Sequence, residues 1–216
     1  RGDAVDVSDN LSNGYRDNVD ERAEFFEVDC GDRAAMRVLF QATRPEVVYH
    51  CAAYPHEGLS VFSPHTVAAV GIFNSSLSVL SAAISTGVRR FVAASSMARY
   101  GHGTPPFKED DESVPADPYG IAKLAVEHEV ELLCREHGVE YAIAIPHNVY
   151  GVGQIYTDPA RNVAGIMANL MLQGRAPIIY GDGQQTRCFS YVSDAVDCFV
   201  KMGTTDAALG RAADLG

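Results

Sequence analysis

The segment Gly87-Val-Arg-Arg-Phe-Val-Ala-Ala-Ser-Ser96 contains the order of elements that decides the fold: a glycine that ends a helix, an apolar strand, and polar residues where the strand ends. Arg44-Pro45 and Gly138 stand in the same place before two other apolar runs. Because helix-like and strand-like segments alternate, the sequence predicts an α/β fold with a doubly wound parallel sheet that helices cover on both faces.

Six apolar runs are predicted to be strands, at residues 4–7, 24–28, 47–50, 90–94, 140–145 and 177–180. Four segments between them are predicted to be helices, at residues 33–42, 64–86, 118–136 and 161–173. The last residues, 211–216, form a further strand-like segment.

Composition and charge argue against several classes of protein. The chain has 216 residues, 47% of them hydrophobic, which suffices for one large domain or a domain plus part of a second. The formal charge of −11 argues against a nucleic-acid partner. No uninterrupted apolar stretch approaches the ~20 residues that span a bilayer, so we expect no membrane partner and a cytoplasmic location. The five cysteines have neither disulfide nor zinc-site spacing, which predicts free thiols and no metal.

Polar and small residues follow the predicted strands, where open α/β sheets bind their ligands. These strand ends are Asp9-Asn10, Asp29-Cys30, Cys51-Ala52-Ala53, Ser95-Ser96 and Pro146-His147-Asn148. A carboxylate at Asp9 accepts hydrogen bonds from the hydroxyls of an adenosine ribose and repels a 2′-phosphate, which favours NAD over NADP. Taken singly, each of these residues fits a turn, a helix cap or simple packing better than a ligand site.

The element Tyr119-Gly-Ile-Ala-Lys123 lies in a predicted helix and indicates proton transfer. Positions four apart share a helix face, so the Lys123 ammonium is expected close to the Tyr119 phenol. A free tyrosine has a pKa of about 10, and a nearby cation lowers it toward the working range. Ser96 is expected to give a hydroxyl to the same substrate oxygen. This combination indicates nicotinamide redox chemistry.

In this order, the motifs resemble the extended short-chain dehydrogenase/reductase family, in the branch of NAD-dependent nucleotide-sugar epimerases and dehydratases that includes UDP-galactose and UDP-glucuronate 4-epimerases. The matching segments, which span nearly the whole chain, are Asp9-Asn-Leu-Ser12, Val48-Tyr-His-Cys-Ala-Ala53, Gly87-Val-Arg-Arg-Phe-Val92, Ser95-Ser96 with Tyr100-Gly101, Pro118-Tyr-Gly-Ile-Ala-Lys123, Asn148-Val-Tyr-Gly151, and Tyr180-Gly-Asp-Gly183 through Arg187 to Asp194.

The resemblance implies two parts. Residues 1–150 are expected to form a Rossmann-like domain that binds NAD. Residues 151–216 are expected to hold mainly elements of a smaller, partly represented C-terminal substrate domain, with returning Rossmann segments. The first strand and the glycine-rich turn that cradles the cofactor pyrophosphate are expected to precede this chain.

The resemblance also implies a role for each matched position. Tyr119 takes a proton from the sugar 4-hydroxyl, Lys123 holds the nicotinamide ribose, and Ser96 shares the hydroxyl hydrogen bond; these three are the expected catalytic residues. The expected cofactor-binding residues are Asp9, Asn10, Asp29, Cys30, Cys51, Ala52, Ala53, Tyr119, Lys123 and Pro146. The expected substrate-binding residues are Ser96, Tyr119, Asn148, Asn162, Tyr180, Arg187 and Arg161. Asn162 is equally compatible with a helix N-cap.

The reaction is indicated by Met97-Ala98-Arg99, which follows the serine pair. Dehydratases of this family carry carboxyl groups there that eliminate water, and this chain has none. We therefore expect a 4-epimerase of a UDP-hexose or UDP-hexuronate that works through a transient 4-keto sugar. A keto-sugar reductase or dehydratase of the same family, and a catalytically idle NAD-binding scaffold, stay open as alternatives.

Arg99 stands where an apolar residue is common in the family. It is interpreted either as a surface residue or, together with Arg161, as a group that faces a substrate carboxylate such as that of UDP-glucuronate.

The resemblance further implies a homodimer in which the helices 64–86 and 118–136 of two copies form a four-helix bundle. Small residues that would allow close packing there are Ser75, Ser76, Ala82 and Ala83.

Overall fold

The computed structural model describes residues 2–216 and contains eight β-strands in that range. They are β1 (Asp6–Asp9), β2 (Glu24–Glu27), β3 (Val47–His50), β4 (Arg90–Ala94), β5 (Glu140–Pro146), β6 (Val149–Tyr150), β7 (Ser190–Tyr191) and β8 (Ala212–Leu215). The central sheet is parallel, in the order β3-β4-β5-β8, and β1-β2 and β6-β7 form two further parallel pairs. The predicted α/β class with a parallel sheet is confirmed.

Six α-helices and one π-helix connect these strands. They are α1 (Arg33–Thr43), α2 (Glu57–Ser60), the π-helix (His65–Asn74), α3 (Ser75–Thr86), α4 (Pro118–His137), α5 (Val163–Leu172) and α6 (Val192–Thr204). The π-helix continues directly into α3, so the predicted helix at 64–86 exists but is wound in two ways.

Alternate residues of β4 face two separate cores. Phe91 and Ala93 belong to the larger core, which includes residues of α1, the π-helix, α3 and α4. Val92 lies between them and belongs to a second core with Met202 of α6 and Leu215 of β8. Because successive side chains of a strand point to opposite faces, helices cover both sides of this sheet, as the alternation of elements predicted.

The prediction of a strand at residues 177–180 was wrong. Ile178, Ile179 and Tyr180 are 53%, 65% and 77% exposed, and no described strand pairs with them. An apolar run becomes a strand only where a neighbouring strand satisfies its backbone hydrogen bonds, and local sequence does not show whether one is near.

Helix α6 was missed, although its sequence carries a helical signal. Val192, Ala195, Phe199 and Met202 recur at spacings of three and four residues, and Ala195 and Met202 are buried. The first strand also lies further along the chain than predicted, at Asp6–Asp9.

One continuous helix, His65–Thr86, is long and apolar enough by length and composition to cross a membrane. Of its most apolar stretch, 56% is buried inside the fold, and α4 packs along it. A mostly buried helix of this kind is typical of the core of an α/β domain.

Arg90 is a buried cation at the start of β4 that joins three elements. Its side chain is 2% exposed. Its Nε donates to Oε2 of Glu140 in β5, Nη2 donates to Oδ1 of Asp206, and Nη1 donates to the carbonyl of Thr205, each at 2.8 Å. Because Thr205 is the C-cap of α6, the guanidinium also satisfies a carbonyl at the helix end.

Replacing Arg90 is expected to loosen this junction. Arg90→Met keeps much of the apolar stem but removes three charge-assisted hydrogen bonds, so the free energy of unfolding should fall by about 2–3 kcal/mol. The loss stays moderate because the carboxylates of Glu140 and Asp206, whose side chains are 37% and 89% exposed, regain water. Arg22→Met, which breaks an exposed pair with Asp20, should leave unfolding nearly unchanged. Chemical denaturation of both variants measures the difference, and equal effects would contradict the assigned role.

Candidate active site

One face of helix α4 lies over the carboxyl end of β4. Tyr119 and Lys123 are four residues apart on this face and are only 8% and 5% exposed. The helix begins there because Asp117 is its N-cap, with Oδ1 accepting the Gly120 N–H at 2.8 Å, and Pro118 occupies the first turn. The Lys123 ammonium donates to the carbonyl of Ala94, the last residue of β4, at 2.8 Å.

Ser96 is the second residue after β4 and lies near Tyr119. Its backbone is extended, and its Oγ accepts the Ala98 N–H at 3.2 Å, which starts the short 3-10 turn Met97–Arg99. A hydrogen bond with the Ser96 side chain contributes to the pKa of the Tyr119 phenol. The structure thus brings together Ser96, Tyr119 and Lys123, the three residues expected to be catalytic.

The close packing of α4 against the turn after β4 requires a glycine at position 120. A Cβ atom there would lie 2.5 Å from the Ala98 carbonyl oxygen and 3.1 Å from Cβ of Pro115. Any larger residue would therefore push the start of α4 away from the turn that follows Ser96, and with it the Tyr119 phenol.

Burial dominates the electrostatics of this pair. Burial raises the pKa of Tyr119 to about 12, although a hydrogen bond from Ser96 lowers it. The charges of Glu57 and Asp117 raise this pKa further, and the charge of Arg161 lowers it. Burial also lowers the pKa of Lys123 to about 8. The Lys123 ammonium lies 5.9 Å from the centre of the Tyr119 ring and is bonded to a carbonyl. The lowered pKa expected for Tyr119 is therefore not a property of this chain alone.

Four of the residues expected to bind the cofactor lie together at the ends of β1 and β2. Asp9 Oδ1 accepts the Leu11 N–H at 2.6 Å, and Asp29 Oδ1 accepts the Gly31 N–H at 2.7 Å. Asn10 Nδ2 donates to Asp29 Oδ2 at 3.0 Å. Burial raises the pKa of the adjacent Cys30 most, and the charges of Asp29 and Asp9 raise it further. Among residues 2–216 no donor contacts Asp9 Oδ2. This acceptor suits the ribose hydroxyls of a dinucleotide.

Four further residues expected to bind the cofactor lie at the ends of β3 and β5. Cys51, Ala52 and Ala53 follow β3, and the Cys51 thiol is near enough to Lys123 to raise the pKa of the lysine. Pro146 is the half-buried last residue of β5. The small side chains at positions 52 and 53 leave room for a ligand to approach the backbone.

The expected substrate residues divide into two groups. Asn148 lies at the site, because its Nδ2 donates to the Cys188 carbonyl at 2.9 Å and lies 3.5 Å from Met97 Sδ. It adopts a left-handed backbone with φ of 28°. Arg187, next to Cys188, is close enough to Glu57 to lower the pKa of that carboxyl. These contacts bring the loop before β7 to the end of β4.

The second group is Asn162, Arg161 and Tyr180, of which Arg161 is near enough to Tyr119 to lower the pKa of its phenol. Asn162 caps α5: its Oδ1 accepts the Ala164 N–H at 2.9 Å and its Nδ2 donates to the Val149 carbonyl at 3.1 Å. Arg161 Nη2 donates to the Asn13 carbonyl at 3.0 Å. Tyr180 is largely exposed. Their roles in substrate binding stay predictions.

Two carboxyl groups beside Tyr119 were not identified from the sequence. Partial burial, followed by the charge and hydrogen bond of Asp117, raises the pKa of Glu57. Asp117 had a readable signal, since it precedes a proline at a predicted helix start. Glu57 had none, because it lies in the short helix α2, 62 positions before Tyr119 in the chain, and only the fold brings it near.

The buried Lys123 cation should cost stability. Its pKa is about 8 in the folded chain and ordinarily 10.5, so between these pH values only the unfolded chain binds the proton, and stability should rise with pH. Lys123→Met should lose this rise and be more stable at pH 7 by on the order of 1–3 kcal/mol, since one pKa unit corresponds to about 1.4 kcal/mol. Lys201→Met, at an exposed lysine of α6, is the control. Denaturation curves from pH 7 to 10.5 test this, and parallel curves for wild type and Lys123→Met would refute it.

Curated relatives match most of this chain. A putative UDP-glucose 4-epimerase of Methanocaldococcus jannaschii is 34% identical over 196 residues, which cover 88% of this chain and 62% of the relative. The UDP-glucose 4-epimerase of Mycolicibacterium smegmatis is 33% identical over 212 residues, covering 94% and 66%. The chain therefore spans less than two thirds of the length of these relatives.

Solved structures have the same fold. The UDP-glucose 4-epimerase of Thermotoga maritima with UDP-glucose superimposes with a TM-score of 0.93 at 33% identity, over all of this chain and 69% of that one. The Thermus thermophilus UDP-glucose 4-epimerase in complex with NAD gives 0.87 at 28% identity, over 98% and 69%. The sequence pattern of the NAD dependent epimerase/dehydratase family matches residues 1–216. This chain therefore belongs to the NAD dependent epimerase/dehydratase family.

Proposed function

We propose that the protein containing this chain is an NAD-dependent 4-epimerase of a UDP-hexose. The observation that carries the proposal is the juxtaposition of the Tyr119 phenol with the Ser96 hydroxyl at the end of β4, followed by a turn, Met97–Arg99, that has no carboxyl group. Removing water from a sugar needs an acid/base pair at that position, whereas inverting C4 needs only one group that moves a proton.

In this mechanism Tyr119 holds the moving proton at its phenolic oxygen. It accepts the proton of the sugar 4-hydroxyl as hydride leaves C4, and it returns this proton to the same oxygen when hydride adds back to the opposite face of the 4-keto sugar. Bound NAD supplies the hydride acceptor, and its positive nicotinamide ring favours the phenolate. Ser96 orients the sugar oxygen. Lys123 holds the nicotinamide ribose and adds a second positive charge to the buried site.

NAD fits the strand ends better than NADP. The free Oδ2 of Asp9 accepts ribose hydroxyls and would repel a 2′-phosphate. Asp29, on the neighbouring strand, adds a second negative charge to the same end of the sheet. Both charges oppose a further phosphate there.

A neutral sugar is proposed over a hexuronate. The Arg99 guanidinium is bound to Glu127 and Ser113, each at 2.8 Å, so it does not reach a substrate. Arg161 lowers the pKa of Tyr119, but it donates to a backbone carbonyl and lies 4.0 Å from the Asp158 carboxylate, which balances its charge within the chain. The carboxyls of Glu57 and Asp117 flank Tyr119, and a substrate carboxylate beside them would be repelled.

The alternatives have less support. Curated relatives include a UDP-N-acetyl-alpha-D-glucosaminuronate decarboxylase of Bacillus cytotoxicus, 30% identical over 213 residues, so a different outcome after C4 oxidation is the second candidate. A keto-sugar reductase would consume NADH on each turnover. A scaffold without activity would not need Tyr119, Lys123 and Ser96 grouped at one strand end.

A homodimer through α3, α4 and the π-helix is also proposed. Ile121 and Leu132 of α4 are 56% and 64% exposed and lie eleven positions apart, close to three helical turns, so they share a face. Val70 of the adjacent π-helix is 40% exposed. A second copy that covers this apolar face would bury all three. The cytoplasmic location stays a prediction.

The phenol of Tyr119 should be essential for turnover. Tyr119→Phe removes the proton acceptor and keeps the ring, so kcat should fall by about 100-fold or more while folding is nearly unchanged. Tyr141→Phe, at another buried tyrosine of the same core, is the control and should retain activity. The assay incubates the full-length protein with a panel of UDP-sugars and follows C4-epimeric products. Unchanged turnover by Tyr119→Phe, or net change in NADH with each cycle, would refute the proposal.

The choice of sugar is tested separately. UDP-galactose should have a kcat/KM at least about 10-fold above that of UDP-glucuronate, because like charges in a binding site cost several kcal/mol. Arg161→Gln should change the two values by similar factors. A preference for UDP-glucuronate that Arg161→Gln selectively abolishes would overturn the assignment of a neutral sugar.

A further inference from the structure

Helix α4 presents a third residue, Glu127, on the face that carries Tyr119 and Lys123. The three positions follow one another at intervals of four, one helical turn each. All three side chains lie against the short segment 94–99 that leaves β4: Ser96 lowers the pKa of the Tyr119 phenol, Lys123 donates to the Ala94 carbonyl, and Glu127 accepts hydrogen bonds from two further side chains. The segment that carries Ser96 is therefore attached to α4 at several points.

Glu127 is the centre of a buried bridge. Its Oε1 accepts a hydrogen bond from the Ser95 hydroxyl, and its Oε2 accepts one from Arg99 Nη1 at 2.8 Å. The side chains of Glu127 and Arg99 are 8% and 11% exposed, so the pair is nearly free of water. Ser95 and Arg99 bracket Ser96 in the chain, so one carboxylate holds both sides of the turn that positions the Ser96 hydroxyl.

Arg99 is in turn held in place by its other contacts. Its Nε donates to Ser113 Oγ at 2.8 Å, which ties the loop before α4 to the turn, and its guanidinium carbon lies 5.2 Å from the centre of the Tyr100 ring. Neither interpretation of Arg99 from the sequence fits these contacts, because the side chain is buried and its donors are used within the chain.

We propose that the Arg99–Glu127 pair is a positioning device of the active site: it fixes the turn carrying Ser96 against the face of Tyr119 and keeps a negative charge one helical turn from Lys123. This inference rests on the proposed function. Arg99 and Glu127 contact neither substrate nor cofactor and act through Ser96 and Lys123.

The charge of Glu127 matters because burial opposes both ionised groups. Burial raises the pKa of Glu127, and Ser95 and Arg99 lower it. Burial lowers the pKa of Lys123, and the charges of Cys51 and Glu127 raise it. The other titratable groups near these two are His128, which favours the Glu127 anion, and His50, which burial keeps neutral. Without Arg99 the pKa of Glu127 would rise further, and protonation of Glu127 would remove a charge that keeps Lys123 protonated.

The test uses the full-length protein loaded with NAD and the variants Arg99→Met, Glu127→Gln and their double. Arg99→Met should lower kcat on the order of 10-fold to 100-fold with KM nearly unchanged, as small displacements of catalytic groups do. The alkaline limb of the pH–rate profile should move down by about half to one unit, because Lys123 deprotonates earlier. The double variant should be no worse than either single variant, since both break one interaction.

Two control variants separate position from charge. Arg99→Lys keeps the charge but lacks the fixed, planar fork of the guanidinium, so it should restore the alkaline limb while kcat recovers only in part. Arg135→Met breaks an exposed pair with Glu131 on the same helix, at 2.7 Å, and should change neither quantity. Should Arg99→Met fail to fold, the nearly isosteric Glu127→Gln carries the same kinetic test.

A readout independent of turnover is the infrared band of a protonated carboxyl group. Arg99→Met should show this band at neutral pH, whereas the wild type and the double variant should lack it. Unchanged kcat and alkaline limb in Arg99→Met, or lost activity with neither a shifted limb nor a carboxyl band, would overturn the proposal. The band does not depend on substrate, so its absence is distinguishable from failure of the 4-epimerase assignment, which Tyr119→Phe tests.

Discussion

The close packing of helix α4 against the end of strand β4 is the constraint on which the candidate site depends. Gly120 permits it, because any Cβ would collide with the Ala98 carbonyl, and the Lys123 bond to the Ala94 carbonyl holds it. Contacts with the backbone of residues 94 and 98 therefore bring the phenol, the ammonium and the serine hydroxyl together. Proton transfer tolerates little error in distance, and a helix packed on a strand end gives a more rigid support than a loop does.

The same close packing makes it unfavourable for the side chains of the site to carry charge. Tyr119, Lys123 and Glu127 are removed from water, and burial shifts the pKa of each in the direction that favours the neutral form. The chain offsets this only in part, through the Ser95 hydroxyl and the Arg99 guanidinium at Glu127. Arg161 lowers the pKa of the phenol but does not outweigh burial, so activation of the phenol depends on what binds beside it. Stored electrostatic strain of this kind is common where function outweighs stability.

Local patterns predicted the framework well. Glycine or Arg-Pro before an apolar run placed the strands of the central sheet, and spacing four apart placed Tyr119 and Lys123 on one helix face. The failures share one cause. Ile178 and Ile179 are apolar but have no strand beside them, and Arg99 looked like a surface or substrate residue because its partner Glu127 is 28 positions away. Sequence patterns report local preference, whereas these outcomes depend on neighbours that are distant in the chain.

The sequence by itself determined the α/β class, the alternation of parallel strands with helices, the family, and the residue types at the strand ends. It could do so because hydrophobic periodicity and turn chemistry are local properties. Only the tertiary structure decided which charges meet: Glu57 beside Tyr119, and Arg99 on Glu127. The reason is physical. Burial and charge pairing are set by distances between segments far apart in the chain, and those distances exist only once the helices have packed on the sheet.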